Sequence, residues 1–443
     1  MTSAAKSVTS RRVLAIAVPI LLSNVTIPIL GAVDTGVVGQ IPQAEPIAAV
    51  GIGAVVLSAI YWIFGFLRMG TVGLAAQALG EGDRPEVAAL LTRALMIGLA
   101  GGLALILLQP LVLGLALSAS PASPEVETLA RHYMQIRIWS APAAIAIYGV
   151  TGWLIAQERT RGVFVLQLWM NGINVVLDLL FVLGLGWGVG GVAAATFVAE
   201  WAGLGMGLWL CRDVFGSPDW RNWARVLDRV RLRRMALLNT DILIRSLLLE
   251  GMFVSFMLIG AHFGDVTLAA NQVLLQFMMI AAYALDGFAF AAETLVGQAW
   301  GARRRGLLRQ SLRVAALWAA VIACLMAAVY WLVGPLIIEI MSKDAGVRAA
   351  ALDFLPWAVL LPVVQVLPFM MDGVFIGATR SADMRNMMAV SAVVYVIALL
   401  ILVGPFGNHG LWLAFHISFL ARGITLGLRY PALERSVPEA RPV

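Results

Sequence analysis

The stretch VLAIAVPILLSNVTIPILGAVDTGVVGQ, residues 13–40, decides the fold of this 443-residue chain. Apart from Ser23, Asn24, Thr26, Asp34, Thr35 and Gln40 it is apolar. A hydrocarbon core of about 30 Å needs roughly 20 such residues in a helix, so the stretch reads as a membrane span. One carboxylate, Asp34, interrupts it. A charge inside a hydrophobic span is expensive and is retained for a function, and Pro19 and Pro28 weaken the helix that carries it.

Working outward, the whole chain has the same character. It is 61% hydrophobic and 13% charged, with a mean hydropathy of +0.89, far from the balance of a soluble domain. The net charge of +6 does not point to nucleic acid, because the basic residues sit in short loops between apolar runs and not in an aromatic-interleaved patch. Cys211 and Cys324 lie in or beside apolar runs, which leaves neither a disulfide framework nor a metal cluster to expect. Lys6, Arg11 and Arg12 precede the first run without a small-residue cleavage site, so a retained first helix is expected and no signal peptide.

Apolar runs of membrane-crossing length recur at 12–39, 46–80, 88–117, 125–157, 161–186, 188–212, 234–262, 266–301, 307–342, 346–378, 382–404 and 409–430. The expected fold class is therefore an all-α polytopic membrane protein of twelve helices. Basic residues near Arg84, Arg159, Arg161, Arg221–Arg234, Arg303–Arg305 and Arg380–Arg385 fall on one side if the spans alternate. The opposite connections carry no Arg or Lys except Lys343 and Arg348. By the positive-inside rule both termini are expected in the cytoplasm, with the chain in a plasma (inner) membrane. The connection 212–233, rich in Trp and Arg, is expected to lie as an amphipathic linker on the inner surface. It separates an N-lobe, 1–211, from a C-lobe, 234–430, followed by a cytoplasmic tail, 431–443.

Sliding the sequence over itself by 221 residues brings out an internal repeat. Arg12 falls on Arg233, Gln77 on Gln298, Gly80 on Gly301, Gly152 on Gly373 and Arg159 on Arg380. Six spans per copy make the copies parallel, with a central cavity between two lobes, and such symmetry permits alternating access. The same shift places Asp34 on Ser255, Asn174 on Tyr395 and Asp178 on Leu399. The scaffold is duplicated and these polar groups are not.

In the fifth span Asn171, Asn174 and Asp178 are three and four residues apart and share one helical face. Thr196 and Glu200 share a face of the sixth. Two carboxylates in one dry cavity suffer desolvation and mutual repulsion, and the first proton bound relieves both. The same oxygens, with an amide and a hydroxyl, also suit a hard cation such as sodium. Asp34, Asn174, Asp178 and Thr196 are the expected coupling site for a proton or, alternatively, Na+. Tyr148, Asn171, Glu200, Arg68, Arg245 and Asp286 are candidates for the cavity or the lobe interface. Arg137, Glu250 and Glu293 read more simply as structural pairs, and His262 and His416 as interface or core residues. No cofactor is expected.

Several strings together resemble the multidrug and toxic compound extrusion (MATE) family, in its DinF-like branch. They are VDTGVVGQ (33–40), FGFLRMGTVGLAAQALG (64–80), GWLIAQERTR (152–161), NVVLDLLFVLGLG (174–186), IRSLLLE (244–250), LAANQVLL (268–275) and ALDGFAFAAETLVGQAWGA (284–302). The resemblance implies a twelve-helix antiporter with two six-helix lobes that exports organic cations or other amphiphiles for inward-moving protons or sodium. Asp34 matches the family's acid on the first helix, Asn174 and Asp178 its fifth-helix amide and acid, and Thr196 a sixth-helix hydroxyl. Pro19 matches the proline at which the first helix bends. One departure is Ile147, where relatives often carry an asparagine; a sodium site loses an oxygen there, with Tyr148 as a substitute, which favours the proton.

The expected function is a proton-coupled efflux antiporter, acting as a monomer in the lipid bilayer on a small organic cation or amphiphile. The alternative is a lipid-linked precursor flippase of the same superfamily, which needs an arginine-rich cavity and draws on Arg68, Arg137 and Arg245. An intramembrane enzyme lacks its constellation, with no HExxH and no nucleophile beside a base. A channel is disfavoured because the acids form no ring.

Overall fold

The computed structural model describes residues 7–40, 45–118 and 123–437. The expected connections at 40–45 and 118–127 and the end of the tail therefore lie partly outside the described residues. Helix α1 spans Ser10–Val38, α2 Glu45–Ile63, α3 Phe66–Glu81, α4 Arg84–Leu107, α5 Gln109–Ser118, α6 Pro124–Arg137, α7 Ala141–Ala156, α8 Thr160–Asp178 and α9 Gly188–Leu210. Two short helices follow, α10 Arg212–Phe215 and α11 Trp223–Val226. The rest is α12 Arg229–Ala261, α13 Asp265–Gly301, α14 Arg305–Met341, α15 Ala345–Gly377 and α16 Ser381–Arg435.

Eleven helices among the described residues are long and apolar enough to cross a membrane. The last of them is interrupted at Gly407, whose φ of 55° and ψ of −131° break α16 into two arms. Counting both arms gives the expected twelve crossings. The ends are set by local chemistry: Asp83, Ser123 and Asp344 accept from the backbone N–H groups of Glu86, Val126 and Val347 and cap α4, α6 and α15. Pro356, Pro362 and Pro368 remain inside α15, tolerated because neighbouring helices re-satisfy freed backbone groups in a membrane bundle.

Two ends differ from the sequence expectation. Helix α12 begins at Arg229, not 234, because Asp228 accepts from the N–H of Arg231 at 2.9 Å and arginine is itself a good helix former. Helix α16 continues past 430 to Arg435. The connection before α12 is not loose. Arg93 of α4, almost fully buried, donates to the backbone carbonyls of Val226 (2.8 Å) and Arg225 (2.6 Å) and pairs with Glu86 (2.7 Å).

The chain forms two compact units. One takes in Met1–Leu21, Ala76–Gly82 and Arg234–Val443; the other Leu22–Ala75 and Asp83–Arg233. The boundary falls within α1 after Leu21, two residues beyond Pro19.

The repeat is written into the backbone. Six of the eight positive-φ residues among the described residues fall in pairs 221 positions apart: Gly82 and Arg303, Glu158 and Thr379, Gly186 and Gly407. At Glu158 and Thr379 the strain of a positive φ is held by the same helix-ending bonds. Arg159 N–H reaches the Leu154 carbonyl at 2.9 Å, and Arg380 N–H reaches that of Phe375 at 2.8 Å. Gly152 and Gly373 share a second feature. A Cβ on Gly152 would lie 2.5 Å from the carbonyl oxygen of Arg68, and one on Gly373 would lie 2.5 Å from that of Ala289, again 221 positions on. Each glycine lets one helix touch another's backbone.

Candidate functional site

The polar face of α8 is turned inward: Asn171, Asn174 and Asp178 are 8%, 1% and 0% exposed among otherwise apolar neighbours. Immediately after Asp178 the helix loosens into a π-helical segment, Leu179–Gly184. Such local widening is common where a side chain must be aimed at a site.

Helix α1 meets this face twice. One turn into the second unit, the Thr26 hydroxyl accepts from the Asn171 amide at 2.9 Å, while Asn171 accepts in turn from Gln167 at 3.0 Å. Two turns further on, the Asp34 and Asp178 carboxyls stand close enough to act on each other. A bond between two carboxyls requires a proton on one of them. Both oxygens of Asp178 are otherwise without a donor among the described residues. A fully buried carboxylate with no donor is very costly, and a proton on one of the two acids relieves that cost.

Asn174 completes the arrangement. With its amide turned so that the nitrogen faces the acid, it donates to Asp34 Oδ1 at 3.2 Å, and its oxygen accepts from the Thr196 N–H at 3.3 Å and lies 3.2 Å from the Thr196 hydroxyl oxygen. Thr196, on α9, is also within 3.1 Å of the Val192 carbonyl, so its hydroxyl is anchored to its own helix. The four residues expected as the coupling site are thus one connected cluster drawn from α1, α8 and α9.

Behind the cluster stands an ion pair. Arg137 at the end of α6 donates to Glu200 of α9 at 2.6 Å and to the Tyr133 hydroxyl at 3.3 Å. Tyr61 of α2 donates to the Arg137 carbonyl at 3.3 Å. The Arg137 charge acts on both Asp34 and Asp178. Glu200, expected near the site, is there as the partner of Arg137, whose place behind the acids the sequence did not disclose. Tyr148 of α7 is half-buried and faces the charges of Arg68 and Glu200. Ile147 is buried at 9% exposure and brings no oxygen.

The remaining candidates lie elsewhere. Asp286 sits beside Tyr283 on α13 in the other unit, and Arg245 of α12 pairs with Asp372 of α15 there. Asp372 and its second partner, Arg422, were not singled out in the sequence. The signal was present: each is a lone charge in an apolar run, the same mark that identified Asp34. Pro19 lies in α1 on the first unit's side of the boundary. Among the described residues no three His, Cys, Asp or Glu side chains come together as a metal site.

The MatE family model matches the chain twice, over residues 19–180 and 242–402, one copy in each half. The chain belongs to the MATE family. This MATE protein is 38% identical over 413 residues to the DNA damage-inducible protein F of Escherichia coli (strain K12), covering 93% of this chain and 90% of that protein. It is 22% identical over 449 residues to a probable multidrug resistance protein NorM of Pasteurella multocida (strain Pm70), covering 96% and 94%. Among solved structures, a MATE protein in the bent conformation superposes with a TM-score of 0.88 at 19% identity, covering 98% of this chain and all of the other. The MATE transporter VcmN of Vibrio cholerae in its bent form gives 0.83 at 21%, covering 96% and 97%. This MATE protein is accordingly an integral membrane transporter with the twelve-helix, two-lobed architecture that the repeat implied.

Proposed function

We propose that this transporter is a proton-coupled antiporter that exports small organic cations or cationic amphiphiles by alternating access, with Asp34 and Asp178 as the pair that carries the proton. The observation behind this reading is a fully buried Asp178 carboxyl without a donor beside a second acid, Asp34, in a cluster whose other members are an amide and a hydroxyl. When the proton leaves, two facing carboxylates repel each other and attract a cation, so proton and cationic substrate exclude one another. The differential affinity of the outward and inward states for the two couples their movements. Full protonation of both acids removes the charge that holds Asn174 on Asp34, and α1 bends near Pro19, within two residues of where the compact units divide the helix.

Sodium is the weaker coupling ion in this reading, since Ile147 supplies no ligand and Thr196 is already bound to its own helix. The flippase alternative loses support because Arg137 is paired with Glu200, and Arg245 and Arg422 share Asp372, which leaves one surplus positive charge where a pyrophosphate needs several. Both termini lie in the cytoplasm in this reading, and the transporter works as a monomer in the inner membrane. The test is efflux of one cationic dye from proteoliposomes, driven by a proton gradient alone and by a sodium gradient alone. Full activity with sodium alone, or full proton-driven activity in Asp34→Asn, overturns the assignment.

A further inference from the structure

The unit that lacks the acid pair has a buried charged cluster of the opposite sign. Arg245 of α12 and Arg422 of α16 both bind one carboxylate, Asp372 of α15; the Arg422 to Asp372 distance is 3.1 Å. The three residues are 6%, 3% and 7% exposed. Among the described residues, Asp372 is the carboxylate with which both guanidinium groups pair. Two guanidinium groups and one carboxylate leave a single positive charge uncompensated in a low-dielectric interior, where an unbalanced ion is costly.

The hydrogen-bond count points the same way. Arg422 Nε and Nη1 and Arg245 Nε are buried and meet no acceptor among the described residues. The ring faces of Phe419, at 5.5 Å, and Phe369, at 6.0 Å, cover the Arg422 guanidinium. Such faces attract the charge but do not take up in-plane N–H donors. Phe419 leads into a run of aromatic contacts, with Phe415 at 5.1 Å and Phe253 at 6.5 Å between ring centres. A surplus cation with unused donors thus stands against an aromatic wall.

We infer that Arg245 and Arg422, with Asp372 as their internal counter-ion, form a binding site for one monoanionic oxyanion, a carboxylate or a phosphate, borne on an apolar molecule. The anion supplies the missing charge and accepts the unused N–H groups, and its apolar part lies against Phe419 and Phe253. The site lies within one unit and does not rest on the acid pair. It extends the range of ligands from cations to acidic amphiphiles.

The test is thermal unfolding of the purified full chain in a neutral sugar detergent, titrated with sodium dodecanoate, with 1-dodecanol and with inorganic phosphate. Dodecanoate is expected to raise the Tm saturably and dodecanol is not. A saturable rise with phosphate as well assigns the affinity to the oxyanion itself; no rise with phosphate assigns it to the tailed acid. Arg422→Gln is expected to weaken dodecanoate binding by about tenfold or more. Asp372→Asn removes the competing carboxylate while keeping an acceptor, and is expected to tighten binding by about threefold or more. The second variant carries the test if the first fails to fold. Equal shifts with dodecanol and dodecanoate, or weaker binding in Asp372→Asn, overturn the proposal.

Discussion

The two halves of this transporter share a backbone and differ in what they hang on it. In the first, Asn174 donates to Asp34 at 3.2 Å; at the equivalent positions in the second, Ser255 donates to Tyr395 at 3.3 Å. The same two helix faces meet, and these equivalent positions are joined by a hydrogen bond in each case. Asp178, however, is matched by Leu399, and the Arg137–Glu200 pair by Ala358 and Ala421. The fold therefore needs a polar link between these helices but does not need an acid there. Anything the scaffold requires should fail alike when removed from either half, and anything grafted onto it should fail in one half only.

The acid pair gives the largest expected effect. Asp34→Asn or Asp178→Asn should reduce proton-driven dye efflux in proteoliposomes to the level of empty vesicles, since either change removes the group that exchanges the proton. The mirror change, Ser255→Ala, should leave coupling intact. If Ser255→Ala abolished proton-driven efflux as fully as Asp34→Asn, the halves would be functionally equivalent and the comparison would fail.

Next comes the ion pair. Removing one member of a buried pair strands the other charge and costs about 3–5 kcal/mol. Arg137→Ala and Glu200→Ala should each lower the Tm markedly. The double variant recreates the Ala358 and Ala421 combination that the second half already tolerates, so it should recover much of the loss. Additive losses in the double variant would mean that the pair is not the reason the singles fail.

These contrasts mark what the sequence could disclose. The twelve spans were legible because apolar runs of fixed length are a local property. The repeat was legible because glycines such as Gly152 and Gly373 must recur wherever helix backbones touch. The Asn171, Asn174 and Asp178 face followed from helical spacing alone. What joins one helix to another was not legible in the same way. Arg137 on α6 reaches Glu200 on α9 only through packing, and Asp372 meets Arg422 only because α15 lies against α16. The π-helical turn after Asp178 left no mark either, since LLFVLG carries no residue that breaks an ordinary helix before its final glycine. At Arg229 the error was physical. A run of arginines suggests a loop, although arginine extends a helix readily once Asp228 caps it.

A scaffold test of intermediate size uses the paired glycines. Gly152→Ala and Gly373→Ala each push a methyl to within 2.5 Å of a backbone carbonyl oxygen, a contact relieved only by moving a helix. Each should cost about 1–3 kcal/mol. The two losses of Tm should be similar in size, because the obstructing atoms, Arg68 O and Ala289 O, are themselves equivalent. A loss in one half without the other would show that only one of the two close approaches matters.

The smallest effect belongs to the bond that replaced the acid. The Ser255 hydroxyl is also within 2.9 Å of the Met252 carbonyl, and the Tyr395 hydroxyl lies 3.4 Å from that same oxygen. Loss of the serine hydroxyl leaves Tyr395 with an acceptor already in reach. Ser255→Ala should therefore cost no more than about 0.5–1.5 kcal/mol, the net worth of one neutral hydrogen bond. Tyr395→Phe removes the link from the other side and should cost about the same; the double variant should add little, because both changes delete one shared interaction. A thermal-shift series on the three variants measures this directly. Losses that sum in the double variant would mean that the two hydroxyls stabilise the second half separately, and that the hydrogen bond inherited from the repeat is no longer in use there.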